Sequence, residues 1–274
     1  IGVPVSIGIG LSGVLAILLG SDIPLIMVAQ QMVRGVNSFP LMAMPLFILA
    51  GEIMSGAKLS NMMIRFARSL VSWMRGGLGM VCVVANMIFA GVTGSGAAAI
   101  SAVGSLTAPE LEEQGYEKSF TASLIAGSGS LGPIIPPSTN MIVIGSITGV
   151  SVGRMFMGGI LPGILIGVGL MGLCYFYAKA HNVDRGDGKF ILKEVLRVFW
   201  KALPALIMPL IILGGVAFGV FTATEAGIVA CVYGLIVGLF VYRTIKLKDL
   251  FMIFRKASES SAMLLLIMAT ASIY

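Results

Sequence analysis

Three prolines inside one apolar stretch limit this chain more than any other feature. Gly127-Ser-Gly-Ser-Leu-Gly-Pro-Ile-Ile-Pro-Pro-Ser-Thr-Asn140 lies within a run, 119 to 150, otherwise long enough to be one helix. A proline lacks an N–H and clashes with the carbonyl four residues earlier. Pro133, Pro136 and Pro137 are therefore expected to free the carbonyls of Gly129, Gly132 and Pro133 and to break the helix near 131 to 137. In hydrocarbon such open carbonyls are tolerated only where protein buries them or a cavity is lined by them, and a bound cation would satisfy them. Ser138, Thr139 and Asn140 then start a second half-helix, where hydroxyl and amide side chains cap and the dipole favours an anion. Carbonyls on one side and a helix N-terminus on the other suit sodium beside a carboxylate. A kink that only shapes packing would explain one proline. Three, flanked by glycines and a Ser-Thr-Asn run, favour a site.

The hydrocarbon setting follows from composition: 57% of the 274 residues are hydrophobic and 11% charged, against about 25% charged in a soluble domain. A polytopic membrane protein is the expected class, with no room for a separate soluble domain. The net charge of +6 does not mark a nucleic-acid surface. Its basic residues fall in short segments between apolar runs, where they mark cytoplasmic loops. Cys82, Cys174 and Cys231 lie in apolar runs, too dispersed for a metal spacing. The chain opens at Ile1 and stops at Tyr274 inside apolar runs, so it is expected to be truncated at both ends.

Candidate spans are roughly 2 to 19, 39 to 56, 119 to 150 (interrupted), 157 to 179, 202 to 220, 224 to 242 and 259 onward. Between the second and third lie two short apolar limbs, 77 to 92 and 97 to 109, separated by Thr93-Gly94-Ser95-Gly96. That pattern suits a re-entrant helical hairpin. Basic residues crowd 57 to 76 (Lys58, Arg65, Arg68, Arg75), 179 to 201 (Lys179, Arg185, Lys189, Lys193, Arg197, Lys201) and 243 to 256 (Arg243, Lys246, Lys248, Arg255, Lys256). The opposite loops hold only Arg34 and Arg154. These loops alternate correctly if 77 to 109 crosses an even number of times, a condition that two full crossings would also meet. Segment 57 to 75 places Leu59, Met62, Met63, Phe66, Leu70 and Trp73 on one helical side, with Ile64 and Val71 as exceptions, and reads as an interfacial helix or an amphipathic linker. Two spans followed by a basic arm occur at 2 to 75 and again, weakly, at 202 to 256.

At the hairpin tip, Gly91 is placed to end the first limb and Ser95 to cap the second, while Gly94 and Gly96 admit a backbone or an ion. Close packing through small residues explains the same glycines. Glu52 is a functional candidate by its depth, although snorkelling or pairing with an arm arginine accounts for it equally. Thr222 and Glu225 have capping-box spacing. His181 falls in a charged loop, and Asn86, in the first limb, faces either the site or a neighbouring helix.

Four segments together resemble the TRAP transporter large permease (M) subunit: Pro45-Leu-Phe-Ile-Leu-Ala-Gly-Glu52, Gly91-Val-Thr-Gly-Ser-Gly-Ala-Ala-Ala-Ile-Ser-Ala-Val-Gly104, Gly132-Pro-Ile-Ile-Pro-Pro-Ser138 and Phe221-Thr-Ala-Thr-Glu-Ala-Gly227. The resemblance implies an all-α, elevator-type transporter fold like those of the ion transporter superfamily. It also implies a bacterial inner-membrane location, a small membrane (Q) subunit and a periplasmic substrate-binding protein as partners, and no cofactor beyond sodium as coupling ion. On that basis 1 to 76 holds scaffold spans and a basic arm, and 77 to 156 half of a transport domain (hairpin 77 to 109, broken helix 119 to 150). Residues 157 to 258 are expected to hold further scaffold spans with a second arm, and 259 to 274 the start of another span. The second hairpin and second broken helix that the resemblance implies are expected to lie outside residues 1 to 274. Candidate sodium ligands are Gly94, Ser95, Gly129, Gly132, Pro133 and Ser138; candidate carboxylate contacts are Thr93, Ser138, Thr139 and Asn140. A non-transporting scaffold is the alternative. An intramembrane hydrolase would need a base, and none stands at helical spacing from Ser95, Ser128 or Ser130.

Overall fold

In a chain this apolar, helices satisfy the backbone without help from solvent. The computed structural model describes residues 2–20, 23–57, 59–184, 186 and 190–274; Ile1, Lys58, Arg185 and Lys189, named above, lie outside the described residues. Among the described residues all regular structure is helical. The order is α1 (Val5–Gly20), α2 (Ile26–Val36), α3 (Ala43–Gly56, entered through a 3-10 turn at Pro40–Met42), α4 (Ser60–Val71), α5 (Gly77–Thr93), α6 (Gly96–Glu113) and α7 (Lys118–Gly129). There follow α8 (Thr139–Thr148), α9 (Val152–His181), α10 (Leu192–Ala217), α11 (Ala223–Ile236, continued by a π turn at Val237–Val241) and α12 (Leu247–Ala271).

Three of these are long and apolar enough to cross a membrane: α9, α10 and Ala223–Val241. A fourth span is available if α2 and Pro40–Gly56, which meet at 67°, count together. Large apolar side chains such as Leu161, Leu165 and Phe176 on α9 are exposed. That arrangement is wasteful in water and natural where the surrounding solvent is hydrocarbon. The chain is a multi-pass integral membrane protein.

Several helices run further than their apolar runs. The segment 179 to 201 is expected as a basic loop, yet α10 already starts at Leu192 and carries Lys193, Arg197 and Lys201 on its first turns. Lysine and arginine are good helix formers, and their stems cover apolar surface while the charge stays in water. The second basic arm is likewise continuous with the final span, because Lys248, Arg255 and Lys256 all belong to α12. Helix α2 is not expected from the sequence at all. The Thr222–Glu225 capping box forms as expected: Thr222 N–H donates to the carboxylate at 2.8 Å and Glu225 N–H donates to the Thr222 hydroxyl at 3.3 Å.

Helix α4 packs on α5 and α10. Its buried residues are Ser60, Met63, Ile64 and Ala67, and Phe66 lies 5.9 Å from Phe199 between ring centroids. Protein thus covers much of the apolar stripe, and the stripe is turned toward Ile64, with Trp73 43% exposed. Arg68 reaches Glu110 on α6 at 2.5 Å. Both side chains are about a third exposed, so this pair ties α4 to the hairpin only weakly, by under about 1 kcal/mol.

Helix α3 is the hub, touching α5, α8, α11 and α12. Its approach depends on small residues: a Cβ on Gly51 would lie 3.0 Å from the Thr93 carbonyl oxygen, and one on Gly227 of α11 would lie 2.8 Å from Leu46 Cβ. This packing sets the end of α5 directly against α3.

Candidate functional site at the hairpin tip and helix break

Helices α5 and α6 pack together as a hairpin closed by Gly94 and Ser95. Gly91 does not end the first limb. Helix α5 continues to Thr93, and Gly94 stops it with φ +62°, its N–H donating to Ala90 at 2.8 Å. A left-handed residue at the end of a helix is where glycine is favoured. Ser95 turns extended at φ −123° and caps α6, its hydroxyl accepting from Ala98 N–H at 3.3 Å. The Thr93 hydroxyl donates to the Phe89 carbonyl at 3.1 Å and accepts from Ser95 N–H at 3.4 Å.

The second element is the broken helix. Helix α7 stops at Gly129 and α8 starts at Thr139, so the break covers 130 to 138. Two of the three carbonyls expected to be freed recover a donor inside the break. Gly129 accepts from Gly132 N–H at 3.0 Å through a four-residue turn, and Pro133 accepts from the Ser138 hydroxyl at 2.7 Å. The Gly132 carbonyl accepts from none of the described residues. Ser138 is fully buried and also caps α8, accepting from Met141 N–H at 3.4 Å. The break is therefore a partly braced turn, and of the three carbonyls expected to be freed only that of Gly132 stays open.

Tip and break meet backbone to backbone. A Cβ on Gly94 would lie 2.5 Å from the Pro137 carbonyl oxygen, and one on Gly96 would lie 2.7 Å from that of Gly129. From the other side, a Cβ on Gly132 would lie 2.5 Å from Gly96 N and 2.8 Å from Ser95 C. Real Cβ atoms do not approach backbone so closely, so the contact exists because these positions carry no side chain.

Beside this contact lies a cavity of about 400 Å³, lined among others by Thr93 and Ser95 of the tip, Thr139 of α8, Gly51 and Glu52 of α3, and Glu259 and Ser260 of α12. The candidate residues thus divide into three groups. Thr93, Ser95 and Thr139 face the cavity; Gly94, Gly129, Gly132, Pro133 and Ser138 form the tip and break behind it; Asn140 is exposed and does not line it. Glu52 lies in the cavity wall and has no ion-pair partner among the described residues. Glu259 and Ser260 are absent from the sequence-derived candidates. The depth rule that singled out Glu52 applies to Glu259 too, which pairs with Arg255 at 2.7 Å.

At the hairpin's opposite end, Asp184, beyond α9, accepts from Leu78 N–H at 2.8 Å and from the Tyr116 hydroxyl at 3.0 Å. One buried carboxylate so holds both the start of α5 and the turn between α6 and α7. Helix α9 itself packs on α5, α7 and α8.

All 274 residues match the family model described as "Tripartite ATP-independent periplasmic transporter, DctM component". The chain is 38% identical over its full length to the isethionate TRAP transporter permease protein DctMQ of Oleidesulfovibrio alaskensis, covering 43% of that protein. It is 42% identical over 245 residues to the C4-dicarboxylate TRAP transporter large permease protein DctM of Vibrio cholerae (89% of this chain, 54% of the relative). It is 32% identical over 246 residues to the sialic acid TRAP transporter large permease protein SiaM of the same organism (90% and 57%). The chain thus spans about half the length of these relatives. With its whole length matched and its break, hairpin and apolar helices in place, the chain belongs to the family of TRAP transporter large permeases, the DctM component.

Proposed function

We propose that the chain is part of the permease of a sodium-coupled TRAP transporter that carries organic acids across a bacterial inner membrane. A periplasmic binding protein delivers the acid and a small membrane (Q) subunit supports the permease, which in the DctMQ relative is named together with it. The observation that carries this reading is the backbone contact between hairpin tip and helix break, with a cavity at its edge into which Thr93, Ser95 and Thr139 face. The oxygens gathered at this contact are the open Gly132 carbonyl, the Pro137 carbonyl against Gly94, and the hydroxyls of Ser95 and Ser138, which also cap their helices. Oxygen ligands and unwound backbone suit sodium. The N-terminus of α8, with Thr139 and the facing Thr93, suits a carboxylate. The hairpin is re-entrant in this reading, and tip and break move together as one body in an elevator. The relatives are named for isethionate, C4-dicarboxylates and sialic acid, so the shared cargo chemistry is a small organic anion.

Uptake by the full-length permease with its small subunit and binding protein in liposomes tests this. Collapse of the sodium gradient is expected to lower uptake more than about tenfold, and Ser138→Ala to raise the sodium half-saturation concentration about tenfold, as the loss of one buried bonded hydroxyl predicts. Asn140→Ala is expected to stay within about twofold, since an exposed side chain loses little. Uptake indifferent to sodium counts against the reading and leaves the small-residue contact as a packing device of a scaffold.

A further inference from the structure

Deep in the hairpin, away from tip and cavity, lies a polar cluster that the transport reading does not use. Cys82 and Asn86 of α5, Thr107 of α6 and Ser128 of α7 are all fully buried. The Asn86 amide donates to the Ser128 hydroxyl at 2.6 Å and reaches the Cys82 sulfur at 3.7 Å. Ser128 donates to the Ile125 carbonyl at 3.3 Å, and the Thr107 hydroxyl donates to Val103 at 2.9 Å and stands 3.5 Å from the Cys82 sulfur. Three helices are tied together by this one cluster.

Packing alone does not account for an asparagine there. Its other amide atom, Oδ1, is buried with no hydrogen-bond partner, a cost that an apolar side chain of the same shape would avoid. The amide must then serve something besides filling space, and its strong bond points to what. Ser128 immediately precedes Gly129, the last residue of α7, whose carbonyl abuts Gly96 of the tip. A helix that slips by one residue rises about 1.5 Å and turns about 100°. Either motion would swing Gly129 and Gly132 off the tip backbone. The Asn86–Ser128 bond joins the first limb to α7 two residues before the break.

We propose that Asn86 is a positioning residue for the coupling-ion site, setting the register of the broken helix on the hairpin through Ser128. It touches neither ion nor substrate in this role. The inference rests on the transport reading above and deepens it.

The test is sodium-dependent uptake by the full-length permease with its partners, over a sodium titration, alongside the melting temperature in sodium-free buffer. Asn86→Leu keeps the shape and removes the donor; Ser128→Ala removes its acceptor; Ser128→Thr retains a hydroxyl. Asn86→Leu and Ser128→Ala are each expected to raise the sodium half-saturation concentration about tenfold, and the double variant no further, since both cut the same bond. Ser128→Thr keeps the acceptor and is expected to raise the sodium half-saturation concentration less than Ser128→Ala does. Where Asn86→Leu fails to assemble, the Ser128 pair gives the same comparison. A lower melting temperature with parental sodium half-saturation overturns the inference and leaves the cluster as glue. Additive effects in the double variant overturn it too. A parent protein that ignores sodium overturns the transport reading and this inference with it, an outcome visible before any variant is made.

Discussion

Gly132→Ala is expected to cut sodium-driven uptake by more than about tenfold, whereas Gly127→Ala, five residues earlier in the same segment, leaves it within about twofold. The new methyl at 132 would stand 2.5 Å from Gly96 N, 2.7 Å from Gly96 Cα and 2.8 Å from Ser95 C. All three are main-chain atoms at the tip, so none can swing aside as the end of a side chain could. Gly132 is not among the residues with positive φ, so the whole effect comes from space rather than conformation. Overpacking of this kind costs about 1–3 kcal/mol where neighbours can relax. Here relaxation means separating the tip from the break. At Gly127 the nearest atom to a new methyl is Leu170 Cδ2 at 3.9 Å, an ordinary contact. Parallel uptake assays of both variants, with membrane abundance measured, check the contrast. Equal behaviour of the two would mean that tip and break do not need to touch.

Asp184→Ala is expected to lower stability by about 3 kcal/mol, because two donors that bonded to a charged acceptor are left behind. Leu78 N–H stands in the first turn of α5, where the helix dipole adds to the attraction for a carboxylate. Tyr116 holds the other bond, and Gly76 N–H is fixed to the main-chain carbonyl of the same aspartate at 2.9 Å. Asp184→Asn retains one acceptor oxygen and is expected to cost about half as much. Thermal melting of the purified full-length protein checks both, and a parental melting temperature for Asp184→Ala would show that the clamp is idle. The clamp also gives a pH signature. Burial, and after it the Asp184 charge, raise the Tyr116 phenol above its ordinary value, so the folded protein holds that proton more tightly than the unfolded chain. The stability this adds is complete below about pH 10 and is lost as pH rises beyond it. Tyr116→Phe should abolish that alkaline loss.

What could be read in advance was what local chemistry decides. The break was legible because a proline cannot donate, and 131 to 137 was expected where 130 to 138 is found. Ser95 and Ser138 were legible as caps because a hydroxyl at a helix start has few other tasks. The sequence alone points to Gly91 as the end of α5 because two glycines compete for one cap, and only the geometry of the tip selects Gly94. Basic first turns hid the starts of α10 and α12, since hydropathy registers a charge as a loop while the backbone accepts it in a helix. The Asp184 clamp had no local signal: its partners stand 106 and 68 residues away, and no spacing joins them. The α12 wall of the cavity is long-range in the same way, so Glu259 and Ser260 emerged only with the fold.

The meeting of Gly94, Gly96 and Gly132 with their opposite backbones has an implication for how the proposed carrier can change its cargo. A junction built of main chain presents no side chain to exchange, so mutation can damage it but cannot retune it. In the proposed carrier the variation is left to side chains around the cavity: Thr93 and Thr139 beside the junction, and Ile48, Glu52, Met263 and Leu264 on α3 and α12, which offer size, charge and shape to vary. On that reading, altering the acid carried means diversifying those side chains and leaving the glycines untouched.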